Sequence, residues 1–305
     1  MRRHLEPAVG TTCRRTAALS RGLLLGCARQ EEEASTMSVT FGPIQSWRLG
    51  RALGVDLVFS DHKYCTFDCR YCPEGRHSLF ARKRHWYAGM SAVECGLRSV
   101  GRGEADCVTF AGKGEPTLAS NLAESIDLAR RILCLPVAVA TNSSLMPRDD
   151  VKRDLAKADT VIAKLDAYDE ESFLAINRPL VPCKFAEIVD ALREFREGFG
   201  GRLALHLVLW EGNRQFAARM AAIVRRLSPD EVQISTRTSW LMAGETSEAT
   251  EAIHASFAGL NARCVHTDLP SWTLASDLEK LEHSRPNAAV MLTAVAAGSV
   301  PLHLN

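Results

Sequence analysis

No uninterrupted apolar run in the 305 residues approaches the roughly 18 that a helix needs to cross a bilayer, so the sequence predicts no membrane-spanning helix. Charge of one sign is equally scarce. Lys and Arg number 37 against 36 Asp and Glu, a formal net charge of +1, so the global field neither demands nor excludes a polyanionic partner. A secretory leader is not expected either: Leu24-Leu25-Gly26-Cys27 looks like a lipoprotein cleavage box, but Arg21 breaks the short apolar stretch before it. With ten cysteines scattered along a chain without that signal, reduced thiols and a cytoplasmic setting are expected.

What is present is an ordinary globular composition, 46% apolar and 24% charged, enough for one large α/β domain or two smaller ones. Residues 1–36 stand apart, with Arg2, Arg3, Arg14, Arg15 and Arg21 followed by Glu31-Glu32-Glu33. They read as a disordered leader, and Met37 is an alternative start. From residue 41, β-branched runs at 55–60, 107–110, 136–141, 160–166, 203–210 and 231–236 alternate with amphipathic segments. Two of these are 184–198, with Phe185, Ile188, Val189, Leu192 and Phe195 on one face, and 213–227, with Phe216, Met220, Ile223, Val224 and Leu227. Such alternation predicts parallel strands with right-handed crossovers. Six units fit a partial (β/α)6 barrel over 37–240 better than a full eight-unit barrel, with a small helical C-terminal extension over 241–305. A flavodoxin-like doubly wound sheet is the alternative, and it too places ligands at the strand C-terminal ends.

Directly after the first of these runs comes YCTFDCRYC, with Cys65, Cys69 and Cys72 spaced C-x3-C-x2-C. Thiolates at this spacing can hold three irons of a four-iron cluster and leave the fourth open, since most such clusters take four thiolates. A structural zinc would ordinarily use a second C-x2-4-C or H-x3-5-H arm, and the sequence has none; a Cys3His knuckle would have to recruit His62, His77 or His85. After the second strand lies AGKGEPTL, where Gly112 and Gly114 permit backbone geometries and close approaches that a side chain would obstruct and Glu115 offers an acceptor. The third strand runs into ATNSSL, whose Asn142 and Ser143 carry amide and hydroxyl groups. The fourth leads into KLDAYDEESFLAINRP, with Asp166 at its end, either a buried acid that orients a substrate or an exposed helix cap.

In order and spacing these segments resemble the radical S-adenosylmethionine superfamily over roughly residues 41–240, and FGPIQSWRLGRALGVDLV with FAGKGEPTL and AINRP resembles the branch that holds wyosine-type tRNA-modifying enzymes and their uncharacterised bacterial relatives. The resemblance implies a radical SAM barrel. It implies that Cys65, Cys69 and Cys72 ligate a 4Fe-4S cluster, with the amino and carboxylate groups of S-adenosyl-L-methionine on the open iron. Gly112, Gly114 and Glu115 would position the amino group, Asn142 and Ser143 the ribose or carboxylate, and Tyr71 would lie beside the adenine. It further implies an external one-electron donor of flavodoxin or ferredoxin type, a 5′-deoxyadenosyl radical, and hydrogen abstraction from a substrate for which tRNA is one candidate. The chain departs from the branch in several places. Gln45-Ser46-Trp47-Arg48-Leu49-Gly50 stands where relatives read PSRRLG, and Lys164 where serine is common. No cysteine lies between Met37 and Tyr64, and Cys13 and Cys27 fall in the leader, so the second cluster of the wyosine synthases is not expected here. A non-catalytic iron–sulfur electron-transfer protein and a zinc-stabilised binding module are the alternatives.

Three features stand outside that pattern. His206, in LALHLVLW, shares a strand face with Ala204 and Val208 and reads most simply as a satisfied core histidine. The basic, aromatic run 75–86 reads either as a solvated loop or as a grip on phosphates and bases. Cys95, Cys107, Cys134, Cys183 and Cys264 read as small apolar residues, Cys183 being the one in a loop.

Overall fold

The computed structural model describes residues 38–264 apart from 61, 73, 75–77, 81–82, 211 and 237–246. The leader, His77 and the helical pattern at 273–283 lie outside the described residues. The central element is one eight-stranded sheet in the order β1-β2-β5-β6-β7-β8-β9-β10. The strands are β1 (Thr40–Ser46), β2 (Gly50–Val55), β5 (Cys107–Phe110), β6 (Val137–Thr141), β7 (Thr160–Lys164), β8 (Arg202–Leu209), β9 (Glu231–Thr236) and β10 (Ala262–Cys264). β1 pairs antiparallel with β2, and every other neighbour is parallel. A separate parallel pair, β3 (Lys63–Cys65) and β4 (Ser78–Phe80), brackets the cysteine loop. Helices α1 (Met90–Arg98), α2 (Leu122–Leu133), α3 (Asp149–Leu155), α4 (Glu170–Ile176), α5 (Phe185–Gly198), α6 (Ala217–Leu227) and α7 (Ser247–Ser256), with short 3-10 turns at Pro116–Leu118 and Arg214–Phe216, complete the described elements. None is long and apolar enough to cross a membrane.

Alternation along each strand divides the molecule into two environments. On β8, Leu203, Leu205, Leu207 and Leu209 are fully buried against the helices, while Ala204, His206 and Val208 point to the other, concave face. Phe185, Ile188, Leu192 and Phe195 of α5, and Met220, Ile223, Val224 and Leu227 of α6, supply the apolar stripe that covers the leucines. Val189 and Phe216, assigned to the same stripes from periodicity, are only half-buried. The sheet curls far enough to bring its edges together: Arg263 of β10 donates from Nη2 to the carbonyl of Trp47, in the turn between β1 and β2, at 2.7 Å. The result is a partial barrel whose six central strands, β2 and β5 to β9, are the six expected repeats.

Two differences from the sequence reading have physical causes. The first parallel strand is Gly50–Val55 rather than 55–60, because the Asp56 side chain turns the chain out of the sheet by accepting from the amides of Val58 (3.2 Å) and Lys113 (2.9 Å). β1 and β2 carry glycine where strands usually carry bulk, and Gly54 is needed: a Cβ there would lie 2.1 Å from the Phe41 ring. The C-terminal extension is not purely helical either. α7 is followed by β10, which joins the main sheet beside β9.

Candidate active site

Cys65 ends β3, and Cys69 and Cys72 follow in a loop whose backbone is held from behind by the segment after α4. The amides of Asp68 and Arg70 donate to the carbonyls of Arg178 (3.0 Å) and Ile176 (2.9 Å), and Leu180 donates to Thr66 (2.8 Å). α4 can stop there because its start is fixed by a reciprocal Asp169–Ser172 capping box and because Arg178 takes a left-handed φ of 46°, letting the chain turn back over the loop. Ile176-Asn177-Arg178-Pro179 is thus the scaffold of the cysteine loop, a role not legible from the sequence.

Burial pushes the Cys65 thiol up to about 12, with the Glu115 carboxylate adding to the effect. It pushes Cys69 up to about 11, with Asp166 the next cause. These sulfurs persist as thiolates only against positive charge, which a metal supplies. Each also receives an amide donor: Asn142 Nδ2 lies 3.5 Å from Cys65 Sγ and Asn177 Nδ2 3.6 Å from Cys69 Sγ. The Lys63 ammonium sits buried among the three cysteines. Burial works against its charge, yet Cys72 and Cys65 outweigh that and hold its pKa above the ordinary lysine value. Among the described residues no three His, Cys, Asp or Glu side chains converge as around a single metal ion. A four-iron cluster binds each thiolate to a different iron and so spreads its ligands.

The AGKGEPTL loop packs directly on this strand. A Cβ on Gly114 would lie 1.9 Å from the Tyr64 carbonyl, and one on Gly112 would lie 2.1 Å from the Asp56 carboxyl carbon. The close approach the glycines allow is therefore between this loop and the backbone and side chains beside the cysteines. Glu115, almost fully buried, ties the ends of β5 and β6 together. Its Oε1 accepts from Thr117 N (3.1 Å), Thr117 Oγ1 (2.6 Å) and Thr141 Oγ1 (2.7 Å), and its Oε2 accepts from Asn142 N (2.6 Å). That leaves Oε2 with spare acceptor capacity.

Asn142 belongs with the cysteines, since its amide also donates to Thr66 Oγ1 at 2.8 Å. Ser143 does not present its hydroxyl to a ligand. A left-handed φ of 70° turns its side chain into the protein, where the hydroxyl donates to the Lys164 carbonyl at 3.0 Å. The reading of Ser143 as a ribose or carboxylate contact is thereby redirected to a structural tie between β6 and β7.

Asp166 is the buried acid of its two readings, and Asp169 is the helix cap. The Asp166 Oδ1 accepts from Val208 N at 2.9 Å, and Oδ2 accepts from Asn177 Nδ2 at 3.2 Å and from the Tyr71 hydroxyl. Tyr71 thus points into the barrel, and burial and the adjacent carboxylate keep its phenol protonated. Lys164 Nζ lies 3.4 Å from Asp166 Oδ1 and 4.8 Å from the centre of the Tyr71 ring.

Within the basic run, Arg84 is consumed by the fold. Arg84 donates to the carbonyls of Thr117 (2.8 Å) and Ala119 (2.9 Å) and pairs with Asp150 (2.9 Å) and Asp154; Lys83 and Trp86 remain exposed. Cys134 is exposed at the left-handed end of α2 rather than buried. Burial, with Glu170 and Glu187 nearby, holds the loop thiol Cys183 up at about 11, which disfavours its thiolate.

Residues 60–213 match the model of the radical SAM superfamily. The chain is 33% identical over 221 residues to a protein of Brachyspira hyodysenteriae named GTPase Obg, covering 71% of this chain and 32% of that one. It is 30% identical over 207 residues to a UPF0026 protein of Methanocaldococcus jannaschii, covering 66% and 64%. The chain thus spans about a third of the first relative and just under two thirds of the second. Among solved structures, Streptococcus suis SuiB bound to its precursor peptide SuiA shares the fold with a TM-score of 0.52 at 14% identity, covering 85% of this chain and 57% of that chain.

Proposed function

Because the chain belongs to the radical SAM superfamily, whose members use a 4Fe-4S cluster and S-adenosylmethionine, we propose that Cys65, Cys69 and Cys72 hold that cluster in this enzyme and that the barrel interior beneath them receives the substrate. The observation that carries this reading is the amide donor beside each of two buried cysteine sulfurs, Asn142 at Cys65 and Asn177 at Cys69. N–H groups of this kind stabilise thiolate ligands and tune the metal they hold. The donor set fits the cluster: three thiols in a loop pinned at both ends, two of them raised by burial, with an ammonium among them. When bound and reduced by an external one-electron donor of flavodoxin or ferredoxin type, cluster and S-adenosylmethionine supply a 5′-deoxyadenosyl radical that abstracts hydrogen.

The chain's own residues do the rest. Gly112 and Gly114 bring the Glu115 loop onto the cysteine strand, and Glu115 Oε2 is the acceptor for the amino group of S-adenosylmethionine. Asn142 fixes the Cys65 sulfur while its backbone holds Glu115 in place. Asp166 orients Tyr71 and, through Asn177, the Cys69 sulfur; with Lys164 it forms the polar floor on which substrate rests. A tRNA-related substrate is the finer form of this proposal. Its support is the family resemblance together with exposed Lys83 and Trp86, the latter a stacking surface for a base.

Anaerobic reconstitution with iron and sulfide, followed by reduction with dithionite in the presence of S-adenosylmethionine, tests the reading. 5′-Deoxyadenosine is the expected product, and its yield rises with bulk tRNA if the substrate is tRNA-related. No 5′-deoxyadenosine from fully reconstituted protein overturns the proposal; a yield indifferent to tRNA overturns the substrate alone.

A further inference from the structure

One layer below Asp166, the concave face of the barrel carries cationic side chains whose donors are only partly used among the described residues. Arg48, in the turn between β1 and β2, reaches across to β8, where its Nη2 lies 2.9 Å from His206 Nε2. A guanidinium only donates, so Nε2 is the acceptor, with the Ser235 hydroxyl on the same nitrogen, and the imidazole proton sits on Nδ1, which has no partner among the described residues. The Arg48 Nε is sealed from solvent with no hydrogen-bond partner. Burial lowers the Arg48 pKa to about 10 even though the Glu231 carboxylate opposes the shift. Glu231 makes no ion pair with Arg48: its oxygens are taken by Arg202 Nη2 (2.9 Å) and Gln233 Nε2 (2.8 Å).

The third donor is Lys164, whose residue pairs in register with His206. Its ammonium has a long 3.4 Å contact to Asp166, whose oxygens already accept from Tyr71, Asn177 and Val208. Two cations thus flank one neutral imidazole on the inner face, and their positive fields, after burial, hold His206 unprotonated. A buried guanidinium with an orphaned donor is costly to maintain unless an acceptor arrives, and arginine's planar fork matches oxyanions.

We propose that this side-chain cluster forms an oxyanion subsite in which Arg48, Lys164 and His206 take a carboxylate or phosphate group of the substrate, below the cysteine loop. The proposal deepens the radical SAM reading and rests on it. Asp166 connects the two levels: it shares Asn177 with Cys69 above and contacts Lys164 below. A substrate anchored there would present the rest of its structure upward, toward the cysteines. The chain carries Lys164 where its resembled branch commonly has serine, so the subsite would separate this chain's substrate from theirs.

Calorimetric titration of the full chain with inorganic phosphate and, separately, acetate, at constant ionic strength set with chloride, tests the subsite. Saturable 1:1 binding of one of the two anions is expected and identifies which group the substrate carries. Lys164→Met and Arg48→Met should each weaken it by about tenfold or more, roughly one charge-assisted hydrogen bond, while Arg102→Gln, a change to an exposed cation, leaves it unaltered. Lys164→Met decides the matter if Arg48→Met does not fold. No saturable binding of either anion, or undiminished binding in Lys164→Met, overturns the subsite and leaves Arg48 as a plug between the sheet edges. Formation of 5′-deoxyadenosine from S-adenosylmethionine without added substrate, measured on the same wild-type preparation, reports on the radical SAM reading independently of either result.

Discussion

The side-chain amide of Asn142 stands 3.5 Å from the sulfur of Cys65, although one residue follows the third parallel strand of the barrel and the other ends a small strand outside the main sheet. The same residue's backbone amide holds Glu115. Cysteine loop, glycine loop and β6 end therefore meet at one point, and substitutions there should be felt by the metal before they are felt by the fold.

Asn142→Ala and Asn177→Ala remove the N–H groups beside Cys65 and Cys69. Loss of such outer partners typically costs about 10- to 100-fold in metal affinity or activity. Iron retention during dialysis against a chelator, read beside far-ultraviolet circular dichroism, checks this: retention falls while the spectrum is unchanged.

Gly114→Ala forces a methyl group to within 1.9 Å of the Tyr64 carbonyl, with the Val58 side chain at 2.8 Å beside it. Overpacking of this kind costs about 1–3 kcal/mol or more. Gly198→Ala, at the end of α5 with no neighbour within 4 Å, should instead be neutral or gain up to about 1 kcal/mol. Urea denaturation of the two apoproteins distinguishes these outcomes.

His206 is held unprotonated in the fold, its pKa depressed well below 6.5 by burial first and then by Arg48 and Lys164. Below pH 6.5 the unfolded chain takes up a proton at this residue that the folded chain resists. Its contribution to stability is complete above that pH and is lost as pH falls toward the depressed folded value. His206→Asn should flatten that part of the stability–pH curve. An unchanged slope between pH 6.5 and 4.5 would assign the acid sensitivity to other groups.

How much of this was legible from sequence depends on how local the cause is. The strands at 107–110 and 231–236 fall where their β-branched runs predicted, because burial on a parallel sheet selects those residues directly. β1 and β2 escaped because GRALGV owes its strand to Phe41 packing on Gly54, a pairing that no local preference encodes. The cysteines, Gly112, Gly114 and Glu115 were legible as motifs. The direction of the Ser143 hydroxyl was not, since it follows from one left-handed backbone angle. The contact of Arg48 with His206 was invisible because the two lie 158 positions apart.

The central claim is that Cys65, Cys69 and Cys72 hold a four-iron cluster on which S-adenosylmethionine is cleaved. Iron, sulfide and 5′-deoxyadenosine measured side by side in anaerobically reconstituted wild type and Cys69→Ala test it most directly. About four irons and four sulfides per chain with 5′-deoxyadenosine in the wild type, and loss of the product in Cys69→Ala, are the predicted results. Undiminished 5′-deoxyadenosine in Cys69→Ala, or a wild type that binds zinc without sulfide, would contradict it.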